Sequence, residues 1–277
     1  MSERSPIFMI NQLVHTPLFS AIGATPVWVL WTFFLAIVLV SGLVHGFVGV
    51  GFPMVATPIF ALVLGFREAV VSLVIPTVLV TVGIVWANRN VMTLRDQIRS
   101  EWPIWLTMPI GVVVGVQAMF WLDPRVLMIG LAVVITGYLI IQRGKPAGSA
   151  WFKNNQSWLS LVFGFIAGFT EGSVNVAGPV FLIYYLLLDM PVQRMIATVS
   201  YFFLAGKSIQ TGLLFMRGQI DWSIVWFAIP LTIVGTLGLF LGLYWRKKYD
   251  PARYRTWLLY TLWVVVAILL SRVAMGA

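Results

Sequence analysis

Two ionisable side chains stand inside the apolar runs of this chain. Lys207 lies between Arg194 and Arg217, and Glu171 lies in a stretch of glycines and small polar residues. Nearly all the other charged residues fall in loops or at segment ends. An ionisable group at bilayer depth costs ~3 kcal/mol on insertion scales and marks a functional position by default. Lys207 shares one helical face with Ser200, Phe203, Gln210 and Thr211, at spacings of three, four and seven. An ammonium on that face would attract an anion entering a site of low dielectric. Thr77 and Thr81 form a milder polar stripe on an earlier segment. The bland reading of Lys207 and Glu171 is a structural pair that does no more than neutralise itself.

Two interruptions of the apolar pattern supply further candidates. The first reads Leu43-Val44-His45-Gly46-Phe47-Val48-Gly49-Val50-Gly51-Phe52-Pro53, with Thr57-Pro58 following. The second reads Phe165-Ile166-Ala167-Gly168-Phe169-Thr170-Glu171-Gly172-Ser173-Val174-Asn175, with Gly178-Pro179 following. Backbone freed at membrane depth is tolerated only where protein buries it or a polar cavity solvates it. A helix restarting near Pro53 or after Asn175 offers free N–H groups and a positive dipole end, a seat for an anion. Gly49, Gly51 and Gly172 open the backbone there, and Thr57, Thr170, Ser173 and Asn175 add neutral donors. The competing reading is that the glycines merely let helices pack closely. Proton coupling falls first to Glu171, a carboxyl among apolar residues, and then to His45, whose imidazole titrates near neutrality. A lone histidine is as readily a helix-packing hydrogen bonder.

These residues need a membrane scaffold, and the composition provides one. The chain of 277 residues is 60% hydrophobic and 10% charged, with a mean hydropathy of +0.94. Soluble domains carry about 25% charged residues. Apolar runs fall at 27–48, 53–65, 69–88, 102–122 and 126–142, and again at 157–174, 178–188, 195–216, 222–244 and 256–271. The runs at 53–65 and 178–188 are short for a crossing of ~30 Å and read as half-helices or re-entrant segments. The predicted fold is therefore an all-α integral membrane protein with two repeats of about five hydrophobic segments. A surface segment occupies 1–26, interrupted at Pro17, and the repeats occupy 27–143 and 157–272 about a basic linker at 144–156.

The repeats align with Gly42 and Gly46 on Gly164 and Gly168, Pro58 on Pro179, Pro109 on Pro230, and Asp123-Pro124 on Asp250-Pro251. An odd number of segments per half predicts insertion with opposite topology, a recurrent carrier design. The basic loops 89–99, 143–153 and 246–255 then share the cytoplasmic side. The formal charge of +9 thus reads as membrane orientation, not as nucleic-acid binding. Tryptophans at segment ends, such as Trp28, Trp102 and Trp222, read as interfacial anchors. The absence of cysteine excludes disulfides and thiolate metal sites, and two histidines cannot build a histidine-rich metal centre. No nucleophile, dinucleotide or nucleotide-phosphate motif is present, so neither an enzyme nor a bound cofactor is expected.

The duplicated pattern of apolar-Gly-x3-Gly-Phe, a break of small residues, then proline and an aliphatic run resembles the sulfite exporter TauE/SafE family over about residues 30–271. The family's usual Gly-Val-Gly-Gly-Gly run stands here as Gly49-Val50-Gly51-Phe52-Pro53 and as Glu171-Gly172-Ser173-Val174-Asn175. The resemblance implies a secondary carrier of sulfite, sulfonates or related organosulfur anions in the bacterial inner membrane. Its partners would be a small anionic solute, the lipid bilayer and protons as coupling ion. A passive anion channel, or a carrier of another small organic anion, is the alternative.

Overall fold

The computed structural model describes residues 26–49, 51–143 and 150–248, together with four positions between 260 and 267. The segment at 1–25, the first part of the linker, 144–149, Asp250-Pro251 and most of the run at 256–271 lie outside the described residues. The first half forms α1 (Val27–Val48), α2 (Phe52–Leu64), α3 (Phe66–Asn88), α4 (Leu94–Ser100), α5 (Trp102–Trp121) and α6 (Pro124–Arg143). The second forms α7 (Ala150–Asn154), α8 (Gln156–Val174), α9 (Gly178–Leu187), α10 (Val192–Met216) and α11 (Trp222–Arg246). No strand occurs among the described residues.

Five helices, α1, α3, α5, α8 and α11, are long and apolar enough to cross a membrane. Helix α10 matches them in length but is more polar, because it carries Arg194, Lys207 and Gln210. The short apolar helices α2 and α9, of 13 and 10 residues, rise only ~20 Å and ~15 Å. Both begin with a proline in the first turn, where a missing N–H costs nothing. Helix α4 stands where the sequence predicts only the loop 89–99. Its start is a capping motif, with Thr93 Oγ1 accepting from Asp96 N at 3.2 Å.

Glycines decide which helices touch. A Cβ added at Gly42 or Gly46 would overlap the carbonyl oxygens of Gly235 and Leu239, and one at Gly238 or Gly242 those of Leu39 and Leu43. The same relationship joins α5 to α8. Gly111 and Gly115 meet the carbonyls of Phe165 and Phe169, while Gly168 and Gly172 meet those of Met108 and Val112. Small residues let backbones approach where lipid tails remove any hydrophobic incentive for helices to associate. In both pairs contact positions rise together, so α1 runs parallel to α11, and α8 runs parallel to α5.

These contacts correct the register read from sequence. Gly42 and Gly46 are the counterparts of Gly168 and Gly172, one helical turn beyond the glycines first matched to them. Pro53, not Pro58, stands where Pro179 stands, since each occupies the first turn of a short helix.

The contacts sort the loops to the two ends of the bundle. Asn88, Arg89, Arg246 and Lys247 line one cavity, and Gln97 Nε2 donates to Thr198 O at 3.3 Å. Tyr201 Oη donates to Met92 O at 3.0 Å. The loop at 89–99, the start of α10 and the end of α11 therefore share one end. At the opposite end Arg67 donates from Nε to Met119 O at 2.9 Å and from Nη2 to Phe120 O at 3.0 Å, and Arg217 bonds Gln117.

Candidate functional site

Helix α8 stops at Asn175, which adopts the left-handed conformation with φ 67°. Asparagine is the residue after glycine most able to do so. Its amide and that of Val176 donate back to Glu171 O and Thr170 O, each at 3.2 Å. The chain then restarts as α9. This turn leaves the Asn175 and Glu171 side chains inside the bundle, facing α10.

Lys207 reaches them from α10. Its ammonium lies 2.6 Å from Glu171 Oε1, and both side chains are wholly buried, at 0% exposure. Lys207 Nζ also donates to Gln210 Oε1 at 2.8 Å and to Asn175 Oδ1. Gln210 Nε2 turns back to the carbonyls of Glu171 at 3.0 Å and Gly172 at 3.3 Å. Asn175 Nδ2 donates to Thr57 Oγ1 on α2 at 2.8 Å, so the network crosses from one half of the molecule to the other. The ammonium thus has two amide-oxygen acceptors and a carboxylate counter-ion, the company that burial of a charge demands.

The second oxygen of Glu171 has a separate partner. Oε2 accepts from Ala177 N, the residue preceding α9, at 2.9 Å. One carboxylate therefore bridges an ammonium and the positive end of a short helix. The sequence offers those two groups to an incoming anion, and here the chain's own carboxylate occupies both. Ala177 escaped that reading because a backbone amide has no sequence signature. Gly206 makes room for the arrangement, since an added Cβ would stand 3.2 Å from Glu171 Cγ.

Other candidates lie apart from this cluster or have their hydrogens committed. Thr77, Thr170, Ser173 and Ser200 donate to carbonyls of their own helices, at Leu73, Ala167, Phe169 and Ile196. A hydroxyl in a helix competes for the i−3 or i−4 carbonyl, and with few other acceptors nearby that bond prevails. At the first break Gly49 caps α1 with φ 86°, and the Ile196 side chain fills the space beside it. Gly51, φ 135°, precedes α2 against Val44. His45 is buried, and its Nδ1 accepts from Phe52 N at 3.4 Å. Among the described residues no cluster of three histidine or acidic side chains could hold a metal.

The geometry describes a buried cation, a carboxylate and a helix start where two interrupted segments approach each other. Comparison with curated proteins and with solved structures finds no match. The family model of the sulfite exporter TauE/SafE matches residues 34–270, which include both breaks, Glu171 and Lys207. Members of this family are membrane transporters of sulfite and related sulfur anions. The match covers most of the chain, and the protein is a multi-pass membrane protein of the sulfite exporter TauE/SafE family.

Proposed function

We propose that this protein is a secondary transporter of a small sulfur oxyanion, sulfite or a sulfonate, across the bacterial inner membrane. The anion would sit where the Glu171 carboxylate now sits. The observation that carries this reading is the double engagement of Glu171, with Oε1 on Lys207 at 2.6 Å and Oε2 on Ala177 N at 2.9 Å. A carboxylate and a sulfur oxyanion present comparable oxygens, so groups that satisfy one can satisfy the other.

A proton reaching Glu171 removes its charge and frees both partners. The anion then binds the ammonium and the α9 amide, and it leaves when the carboxylate loses its proton and returns. Exchange of the two negative charges over one cation couples the proton to the solute. Asn175 and Gln210 hold the ammonium in place meanwhile, through Oδ1 and Oε1.

The site is closed to solvent, so binding and release need movement of the halves. We read residues 27–143 and 157–272 as inverted repeats rocking about this site, a design common among secondary carriers. The reciprocal contacts of α1 with α11 and α8 with α5 support that reading, as does the Thr57–Asn175 bond between the halves. The basic loops would then face the cytoplasm.

The test is a thermal-unfolding screen of the purified protein against sulfite, sulfoacetate, sulfate and carboxylate anions, repeated with Lys207→Ala. Stabilisation by a sulfur oxyanion that disappears in the variant is the expected result. Stabilisation that is indifferent to Lys207 would move the site elsewhere.

A further inference from the structure

A cavity of about 560 Å³ opens at the basic end of the bundle, where α3 and α11 finish side by side. Its walls include Trp86 from α3, Arg89 just past its end, and Phe240, Tyr244, Arg246 and Lys247 from α11 and its end. None of these residues belongs to the Lys207 network.

Cations at helix C-termini have an ordinary explanation, since each terminus carries about half a negative charge. Two termini account for about one positive charge, and the cavity holds three. Neither Lys153–Asp189 nor Lys207–Glu171, the ion pairs seen among the described residues, involves Arg89, Arg246 or Lys247. Arg89 stacks on the Trp86 ring at 4.3 Å, and Lys248 stands over the Tyr244 ring at 4.4 Å. These contacts hold cations at the depth where aromatic residues mark a membrane interface.

The cavity also has an apolar approach. Leu79 and Val82 on α3, and Ile233 and Leu237 on α11, are exposed at helical spacings that lead along the bundle surface to Trp86 and Phe240. A free oxyanion would use only the cations. An amphiphile with an anionic phosphate head and an acyl tail would use the cations and the stripe together.

We propose that this cavity is a binding site for an anionic phospholipid, its phosphate held by Arg89, Arg246 and Lys247 and an acyl chain lying on the α3–α11 surface. Basic recesses between membrane helices on one face are suited to such head groups. Bound there, the lipid ties the end of one half of the molecule to the end of the other.

The experiment measures thermal unfolding of the full chain in detergent micelles doped with phosphatidylglycerol, with phosphatidylcholine, or with inorganic phosphate alone. Phosphatidylglycerol is expected to raise Tm by about 3 °C or more above phosphatidylcholine at equal mole fraction. The combined variant Arg89→Gln, Arg246→Gln, Lys247→Gln should lose that increment, while Arg95→Gln with Arg99→Gln, on the same end of the bundle, should keep it. Should the triple variant fail to fold, single Arg246→Gln and Lys247→Gln variants carry the comparison, each reducing the increment. Equal shifts from the two lipids would overturn the proposal. Retention of the increment in the variants at the cavity, or its equal loss in the Arg95 and Arg99 variant, would do the same. A matching shift from inorganic phosphate would make the cavity a phosphate site and not a lipid site.

Discussion

Glu171 and His45 hold equivalent positions in the two halves of the molecule. Each lies four residues before a left-handed helix cap, Asn175 with φ 67° and Gly49 with φ 86°. Each accepts a backbone amide at the start of the next short helix, Ala177 N at 2.9 Å and Phe52 N at 3.4 Å. The same chain separation that relates these pairs places Thr81 opposite Lys207. Thr81 Oγ1 donates to Thr77 O on its own helix. One scaffold therefore carries a charged pair in the second half and a neutral counterpart in the first.

That asymmetry predicts different outcomes at the two positions. Glu171→Gln should abolish proton dependence of solute flux, whereas His45→Gln should retain it. Flux into proteoliposomes with and without an imposed pH gradient checks both. Loss of coupling in the histidine variant alone would place the proton in the first half.

The Lys207–Glu171 pair should also govern stability. Removing one partner leaves a buried charge without its counter-ion, at a cost of about 3–5 kcal/mol. Glu171→Leu should therefore unfold at a markedly lower temperature in detergent. Adding Lys207→Met should restore most of that loss without restoring transport. A single variant as stable as the parent would mean that the pair is not isolated from water.

The helix crossings give a sharper contrast. Gly168→Ala places a Cβ against the Met108 carbonyl, whereas Gly212→Ala meets nothing within 4 Å. The first should reduce the yield of monodisperse protein severely, because backbone at a close crossing cannot yield as a side chain can. The second should be neutral. Size-exclusion profiles of the two variants decide the matter.

Glu101 precedes the span Trp102–Trp121 and is buried, at 3% exposure. Burial pushes its carboxyl up to about 7, against the opposing influence of Tyr185 and Arg194. An acid whose folded-state pKa is raised costs nothing at low pH, where both states are protonated. The penalty grows as pH rises from the unfolded value of 4.5 and is complete above about 7. It amounts to ~3 kcal/mol at most. Glu101→Gln should thus match the parent below pH 4.5 and exceed it in Tm above pH 7. Thermal unfolding across that range measures the difference, and equal stability at pH 8 would contradict it.

Much of this site was legible in the sequence, because a charge within an apolar run is conspicuous. Lys207, Glu171, Asn175 and Gln210 were expected together and are found together. The helix register was harder to read. Gly164, Gly168 and Gly172 recur at four-residue intervals, so a shift of one turn preserves the glycine pattern, and only the backbone contacts resolve it. Pro53 and Pro58 posed the same ambiguity. The hydroxyls of Thr77 and Ser200 looked available because side-chain bonds to the parent helix leave no trace in residue spacing. That Glu171 would meet both Lys207 and the start of α9 was not legible either, since it depends on where the Ala177 amide points.

The central claim is that the Lys207 ammonium holds the transported anion in exchange for Glu171. Sulfite flux into proteoliposomes by Lys207→Ala, set beside the parent at equal protein incorporation, tests it most directly. No protein-dependent flux is expected from a variant that still inserts and elutes as folded protein. Flux at the parental rate would contradict it.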